Sequence, residues 1–283
     1  MGKAETALRR RVAPASVLAV RGAKSSQRAD KLAGEEPMEI RAGGRGQDPV
    51  RIAVTMRTPG NDFELAAGFL FTEGLVAAED VVKVSYCDAL EVDQAYNVVT
   101  VRTARPFEPA ELQRNFYATS SCGICGKASL DEIEVHCEPI SSGPTVGRSV
   151  IADLPEALRS KQKTFEATGG LHAAGLFGAD GRLLGIREDV GRHNALDKLV
   201  GKLLLAGGSP RPLAGGVLMV SGRTSFEIVQ KAAVAGAPVL CAVSAPSSLA
   251  VDAAERFGIT LVGFLRDDGF NLYTHPDRID LEG

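Results

Sequence analysis

The chain has no tryptophan, and phenylalanine and tyrosine bring its aromatic share to only 5%. Broad stacking platforms for single-stranded nucleic acid are therefore not expected. Charge of one sign is not in excess either: 32 lysines and arginines against 35 aspartates and glutamates leave a formal net charge of -3. A polyanion footprint spread over the surface is excluded, so any anion site must be local. Long apolar runs are missing, because Val217 to Val220 and Leu203 to Leu205 are soon interrupted by glycine or charge. Roughly 18 apolar residues are needed to span a bilayer, and no membrane span is expected. The five cysteines are odd in number and scattered, unlike the dense, even sets of small secreted domains. A reducing cytoplasm is the expected compartment.

What is present is ordinary globular usage, with 45% hydrophobic and 24% charged residues over 283 positions. At about 150 residues per domain this length allows one large or two small domains. Residues 1 to 51 hold eleven basic and six acidic side chains with little periodicity, and 1–48 is read as a mobile basic arm. The run from Arg9 to Val20 is too short and too broken by Pro14 to act as an export signal. Residues 49–118 are expected to form a smaller α+β portion. Val50 to Met56 alternates like a strand, and Asn61 with Glu64 suggests a capping box before a helix that carries Leu65, Phe69 and Leu70. Val81 to Tyr86 and Asn97 to Arg102 read as strands, and Glu108 to Phe116 as a short helix.

Residues 119–153 are expected to be a cysteine loop and a variable segment, and 154–283 the main α/β portion. In the latter, His172 to Glu188 reads as a hairpin turning at Ala179 to Arg182. A helix follows from Arg192, with Leu196, Leu199, Val200, Leu203 and Leu204 at helical spacing. Gly216 to Val220, Pro238 to Val243 and Ile259 to Leu265 are apolar enough for buried strands, separated by helices that start near Thr224 and at Ser247 or Ser248. These repeated units predict an α/β fold, a mixed sheet covered by helices.

The residues with most chemistry are Cys122 and Cys125, two thiols three positions apart in Ser120-Ser121-Cys122-Gly123-Ile124-Cys125-Gly126-Lys127. Spacing leaves three uses open. The pair is half of a zinc site if His136 and Cys137 complete it, since structural zinc takes four ligands. It is a redox dithiol, although no strand leads into a helix at the pair as in thioredoxin-like proteins. Or it is a sulfur-transfer pair, in which one exposed thiolate carries sulfur as a persulfide, favoured by Lys127 and loop amides. A zinc deaminase is excluded by order: His136-Cys137-Glu138 follows the cysteine pair instead of preceding it.

Two strand-to-helix turns carry glycine and arginine: Glu188-Asp189-Val190-Gly191-Arg192-His193-Asn194 and Ser221-Gly222-Arg223-Thr224-Ser225. Free amides and the positive helix end at such turns bind phosphate, and the carboxyl ends of sheet strands are where nucleotides settle. A structural use is equally open, with Arg192 paired to Asp189, His193 buried in a cap and Thr224 a helix cap. His172 is a proton-transfer or positioning candidate, or a satisfied structural histidine. In Phe264-Leu265-Arg266-Asp267-Asp268-Gly269 a charged turn follows a strand, and Arg266 meets either a phosphate or its acidic neighbours.

Taken together, Ser121 to Gly126, Thr168-Gly169-Gly170-Leu171-His172, Glu188 to Lys198 and Ser221 to Glu227 resemble the FdhD family of formate dehydrogenase accessory sulfurtransferases from about residue 50 onward. The resemblance implies a cytidine-deaminase-like α/β fold without deaminase chemistry. It also implies transfer of persulfide sulfur from a cysteine desulfurase to the molybdenum cofactor, bis-molybdopterin guanine dinucleotide, of formate dehydrogenase. Cys122 then matches the persulfide-bearing cysteine and Cys125 its partner, while Phe264, Leu265, Arg266, Asp267, Asp268 and Gly269 match the stretch that contacts the cofactor. The cofactor site is expected to include Arg192, His193, Ser221, Arg223 and Ser225 as well, with no structural metal. Expected partners are the desulfurase, formate dehydrogenase and the guanine-containing cofactor, not nucleic acid or a membrane, with a homodimer left open. The competing function is a non-enzymatic cofactor chaperone or zinc-stabilised adaptor.

Overall fold

The computed structural model describes residues 11–87, 95–107, 138–207, 209–267 and 269–282. The N-terminal part runs β1 (Val12–Arg21), β2 (Lys24–Ala33), β3 (Glu36–Gly44), β4 (Val50–Arg57), α1 (Asp62–Thr72), β5 (Val81–Tyr86) and β6 (Val98–Thr103). The remainder runs β7 (Val146–Gly147), α2 (Arg148–Arg159), α3 (Lys163–Thr168), β8 (His172–Phe177), β9 (Leu183–Asp189), α4 (Arg192–Leu205) and β10 (Val217–Val220). It ends with α5 (Phe226–Val234), β11 (Val239–Ala242), α6 (Ser248–Phe257), β12 (Thr260–Arg266), β13 (Gly269–Thr274) and β14 (Ile279–Asp280).

The mixed α/β expectation holds. A six-stranded sheet has the order β13-β12-β11-β10-β8-β9, with β10, β11 and β12 parallel and the outer pairings antiparallel. Alternation along its short apolar strands loads both faces: Leu218, Val220 and Leu240 face one core, and Val217, Met219, Val239 and Cys241 the other. Helix α2 covers the second face with Ile151, Leu154 and Leu158, all but fully buried. Helices α4, α5 and α6 cover the first. A four-stranded sheet, β4-β3-β6-β5, lies beyond α1 and shares the first core through Met38, Ile40, Val99 and Val101.

Helices α1 and α4 join the two sheets, and glycine at their crossing is obligatory. A Cβ on Gly68 would lie 1.8 Å from the Asp197 carbonyl oxygen, and one on Gly201 would lie 1.8 Å from that of Glu64. The two backbones therefore touch without intervening side chains.

Several expectations need correction. Residues 1–48 are not wholly an arm: β1 and β2 form an antiparallel hairpin about the two-residue turn Gly22–Ala23, with Gly22 at φ 58. Strand β3 lies between β4 and β6, with Met38, Ile40 and Ala42 buried at alternate positions, so a boundary at residue 48 cuts a strand pairing. Flanking charges masked this alternation. The variable segment ending at Asp153 contains the first half of α2, whose apolar face the stretch from Ser141 had concealed. The charged turn after β12 closes a β-hairpin onto β13.

The expected capping box at Asn61 also dissolves. Asn61 precedes α1 at φ 60 with no side-chain cap, and its Oδ1 accepts a 2.5 Å hydrogen bond from Arg11. Glu64 pairs with Arg187 across the molecule. The residue before α5 is Ser225, one position after the expected Thr224. Ser247 does cap α6, accepting from the Ala250 amide at 3.2 Å.

Candidate functional site

At the carboxyl ends of β10, β11 and β12 the sheet opens into a cleft of about 800 Å³. Ser221 enters it from the end of β10, Val243 from β11 and Asp267 from β12. Antiparallel pairing of β8 with β10 brings His172 to the same edge. The Ser221 amide donates to the Ala173 carbonyl at 3.0 Å, and the Ala173 amide donates to the Ser221 hydroxyl oxygen at 2.9 Å. The Ser221 proton is left to donate elsewhere.

Behind His172 and Ser221 stands Arg192. A Cβ on Gly222 would lie 3.3 Å from His172 Nδ1 and 3.8 Å from Arg192 Cδ, so the glycine lets both side chains approach the turn. Burial first, and then the Arg192 charge, lower the His172 pKa, against the pull of Asp189. His172 is accordingly neutral at pH 7. The Arg192 Nε and the Thr224 hydroxyl are buried without a hydrogen-bond partner. Leaving such groups unpaired costs about 1–3 kcal/mol each, and a cationic donor is the costlier of the two. Arg192 does not itself line the cleft, but its charge acts on His172 at the cleft wall, so the residues present fit a phosphate-bearing cargo.

The rest of the Glu188 to Lys198 motif has another task. Asp189 is fully buried, 2.6 Å from Lys198 Nζ, and accepts from the Thr58 amide at 3.1 Å, the Gly191 amide at 2.9 Å and Asn194 Nδ2 at 3.0 Å. Lys198 in turn donates to the Thr58 carbonyl at 2.7 Å. This carboxylate takes the Gly191 amide that a phosphate at the start of α4 was expected to use. It pairs with Lys198, not with Arg192. Next to Lys198 in the chain, Asp197 accepts from Lys231 at 3.0 Å and from the Thr72 hydroxyl at 2.6 Å, while Lys231 also reaches Glu73 at 2.6 Å. These buried pairs tie α4 to the N-terminal sheet and to α5.

Of the residues expected at the cofactor, Ser221 and Asp267 line the cleft; Arg192, His193, Arg223, Ser225, Phe264, Leu265, Arg266 and Gly269 do not. His193 faces a separate cavity of about 210 Å³ between the two sheets, together with Glu73, Asp197, Glu227 and Lys231. Its Nε2 is 3.5 Å from the Ser225 hydroxyl, and burial, then Lys231 and Arg192, push its pKa down to about 4. Arg223 is exposed on the turn after β10.

The end of β12 and the turn after it are strained. Phe264 has φ 53 and Asp267 φ 52, flanking a break in the β12–β13 register. Left-handed backbone at non-glycine residues costs about 1–3 kcal/mol each and clusters at functional sites. Phe264 is 38% exposed, and the Arg266 guanidinium lies 6.0 Å from its ring centroid. Leu265 is the exception: its side chain is fully buried in the core and offers a ligand nothing. Gly269 pairs with Arg266 as β13 begins. Asp268 lies outside the described residues, as do Cys122, Cys125, His136, Cys137 and the expected helix from Glu108.

The far wall of the cleft carries residues that sequence reasoning missed. Arg159 at the end of α2, Gln162 in the α2–α3 turn and Phe165 of α3 all line it. They stand three positions apart across the α2–α3 junction, but they become a wall of the cleft only when α2 packs on the sheet. Among the described residues no three metal-ligating side chains cluster, and no helix is long and apolar enough to cross a membrane.

Comparison with known proteins accords with this architecture. A crystal structure of a protein from Desulfotalea psychrophila, named as a formate dehydrogenase accessory protein, superposes with a TM-score of 0.71 at 24% identity, covering 95% of this chain and 99% of that one, and so shares the fold. A protein from Streptomyces coelicolor named Sulfur carrier protein FdhD is 52% identical over 273 residues, 94% of each chain. A relative of the same name from Mycolicibacterium paratuberculosis is 53% identical over 259 residues, 89% of this chain and 93% of its own. The family described as FdhD/NarQ matches residues 33–280, and with relatives this similar over most of its length the chain belongs to that family.

Proposed function

We propose that the protein is a sulfur carrier that serves formate dehydrogenase, acting in the cytoplasm as a sulfurtransferase. The observation that carries this reading is identity of about half the residues, over 94% of the chain, to a protein named as a sulfur carrier. Cys122 accepts sulfur. Its thiolate attacks the outer sulfur of a cysteine desulfurase persulfide, a new S–S bond forms on Cys122, and the donor cysteine departs as thiolate. Cys125 assists release: its thiolate attacks the Cys122 sulfur, forms the Cys122–Cys125 disulfide and frees the terminal sulfur as hydrosulfide.

The cleft at the ends of β10–β12 takes the molybdenum cofactor, bis-molybdopterin guanine dinucleotide, as cargo. Support comes from the unpaired Arg192 Nε behind it, the exposed Arg223 beside it and the strained Phe264–Asp267 backbone at its rim. Neutral His172 and the Ser221 hydroxyl supply further hydrogen bonds there without repelling an anion.

Intact-protein mass spectrometry after incubation with a cysteine desulfurase and cysteine tests the transfer step. A reductant-sensitive gain of one sulfur, roughly 32 Da, that disappears in Cys122→Ser is the expected result. No gain with an active desulfurase would instead favour an adaptor that only delivers cofactor.

A further inference from the structure

Gln162 is only 4% exposed, yet it lines the cleft. Its backbone is engaged, the amide donating to the Arg159 carbonyl and the carbonyl accepting from the Glu166 amide. Its side-chain amide has no hydrogen-bond partner among the described residues, although both a donor and an acceptor sit at the end of that side chain. The amide is not sealed from the cleft, so both of its groups are free to pair with a ligand seated there.

Its surroundings narrow the choice of ligand. The Arg159 guanidinium lies 4.2 Å from the centroid of the Phe165 ring, a cation–π contact that holds a flat, weakly hydrated cation against the same wall. The Glu188 carboxylate accepts from the Thr164 amide at 3.1 Å and the Phe165 amide at 2.8 Å, which anchors α3 to the end of β9. The wall is thus built from a largely buried amide and a planar guanidinium. Phosphate would use only the guanidinium, whereas a planar heterocycle uses both: stacking on the guanidinium plane and pairing along an edge.

We propose that Gln162 is a specificity-determining residue that reads the lactam edge of the cargo, a ring carbonyl next to a ring N–H. Its Nε2 donates to the carbonyl and its Oε1 accepts from the N–H, while Arg159 packs against the ring face. Guanine and pterin share this edge, and both occur in the cargo assigned above, so the inference rests on that reading of the cleft. It adds a division of labour: phosphates lie toward Arg192 and Ser221, and one heterocycle lies toward α2 and α3.

Titration of wild type and Gln162→Leu with GDP, pterin and pyrophosphate tests it. An edge read by two hydrogen bonds is worth about tenfold in affinity, by analogy with glutamine contacts to base edges. Gln162→Leu should lose about tenfold for GDP if guanine is the ring, or for pterin if pterin is, with pyrophosphate binding unchanged. Unchanged affinity for both ring ligands overturns the inference, as does an equal loss for pyrophosphate, and in either case the cleft remains a cargo site. Failure of wild type to bind any of the three removes the cleft reading itself, and the inference with it. If the variant does not fold, the wild-type Gln162 side-chain amide resonance decides. It should move on addition of GDP or pterin but not of pyrophosphate, and a resonance that ignores the ring ligands overturns the proposal.

Discussion

The two strand-to-helix turns that look alike in the sequence, β9 to α4 and β10 to α5, have different occupants. Each pairs a glycine with an arginine ahead of a helix. In the first, Asp189 is fully buried and accepts from three donors besides pairing with Lys198, so the protein's own carboxylate sits where a phosphate would. In the second, Arg223 reaches solvent, the Ser221 hydroxyl faces the cleft, and the Thr224 hydroxyl has no partner. The second start is not free of acid either, since Glu227 accepts from its own amide and from the Ser225 hydroxyl; what separates the two turns is that the second leaves its arginine to solvent and its Ser221 hydroxyl to the cleft. Of the first turn, the Arg192 side chain alone is left for a ligand.

The sharpest way to break this contrast is to remove the first turn's internal cation. Lys198→Met leaves Asp189 buried and unpaired, which should cost about 3–5 kcal/mol and lower the melting temperature by roughly 10 °C. Persulfide formation on Cys122 should persist in the folded fraction. A variant that melts like wild type would show that the turn is not a structural joint. Gly68→Ala probes the same joint from the opposite helix: its Cβ would meet the Asp197 carbonyl at 1.8 Å, so the helices must separate. A loss of about 3 kcal/mol by denaturant titration is expected, at the upper end for overpacking. The second turn should behave oppositely. Arg223→Ala should leave stability within about 0.5 kcal/mol and weaken GDP binding roughly tenfold, the loss of one charge-assisted hydrogen bond. Equal binding by both proteins in a titration would remove Arg223 from the site.

The contrast also explains what sequence could and could not reveal. The parallel strands β10 to β12 were legible because Val217–Val220 and Val239–Ala242 are continuously apolar, as strands covered on both faces must be. Helix α4 was legible from Leu196, Leu199 and Val200 at helical spacing. The joint was not, because nothing local distinguishes Asp189 facing Lys198 from Asp189 facing Arg192; the former pair is nine positions apart and the latter three. Gly68 and Gly201 gave no warning either, since a glycine within a helix pattern reads as a weakness until a second helix lies against it. Gln162, Arg159 and Phe165 become a wall only through the packing of α2, whose first half lies in a stretch with no clear periodicity ahead of it.

His193 stands between the two turns, on α4 but 3.5 Å from Ser225 at the start of α5, and its titration measures how tightly they are held together. Burial, Lys231 and Arg192 disfavour its protonated form, outweighing Glu227 and Glu73, so its pKa falls from 6.5 to about 4 in the folded chain. The unfolded chain binds the proton first as pH drops. Folding stability contributed by this residue is therefore complete above pH 6.5, declines between about 6.5 and 4, and changes no further below its folded pKa. In His193→Gln that component of the slope should vanish, while the acid losses due to buried carboxylates remain. Denaturant titrations at pH 7.5, 6 and 5, on the order of one pH unit apart across the window, would show wild type losing stability relative to the variant toward low pH. Parallel curves would mean that the imidazole titrates freely, and that the α4 and α5 turns part readily enough to admit water between them.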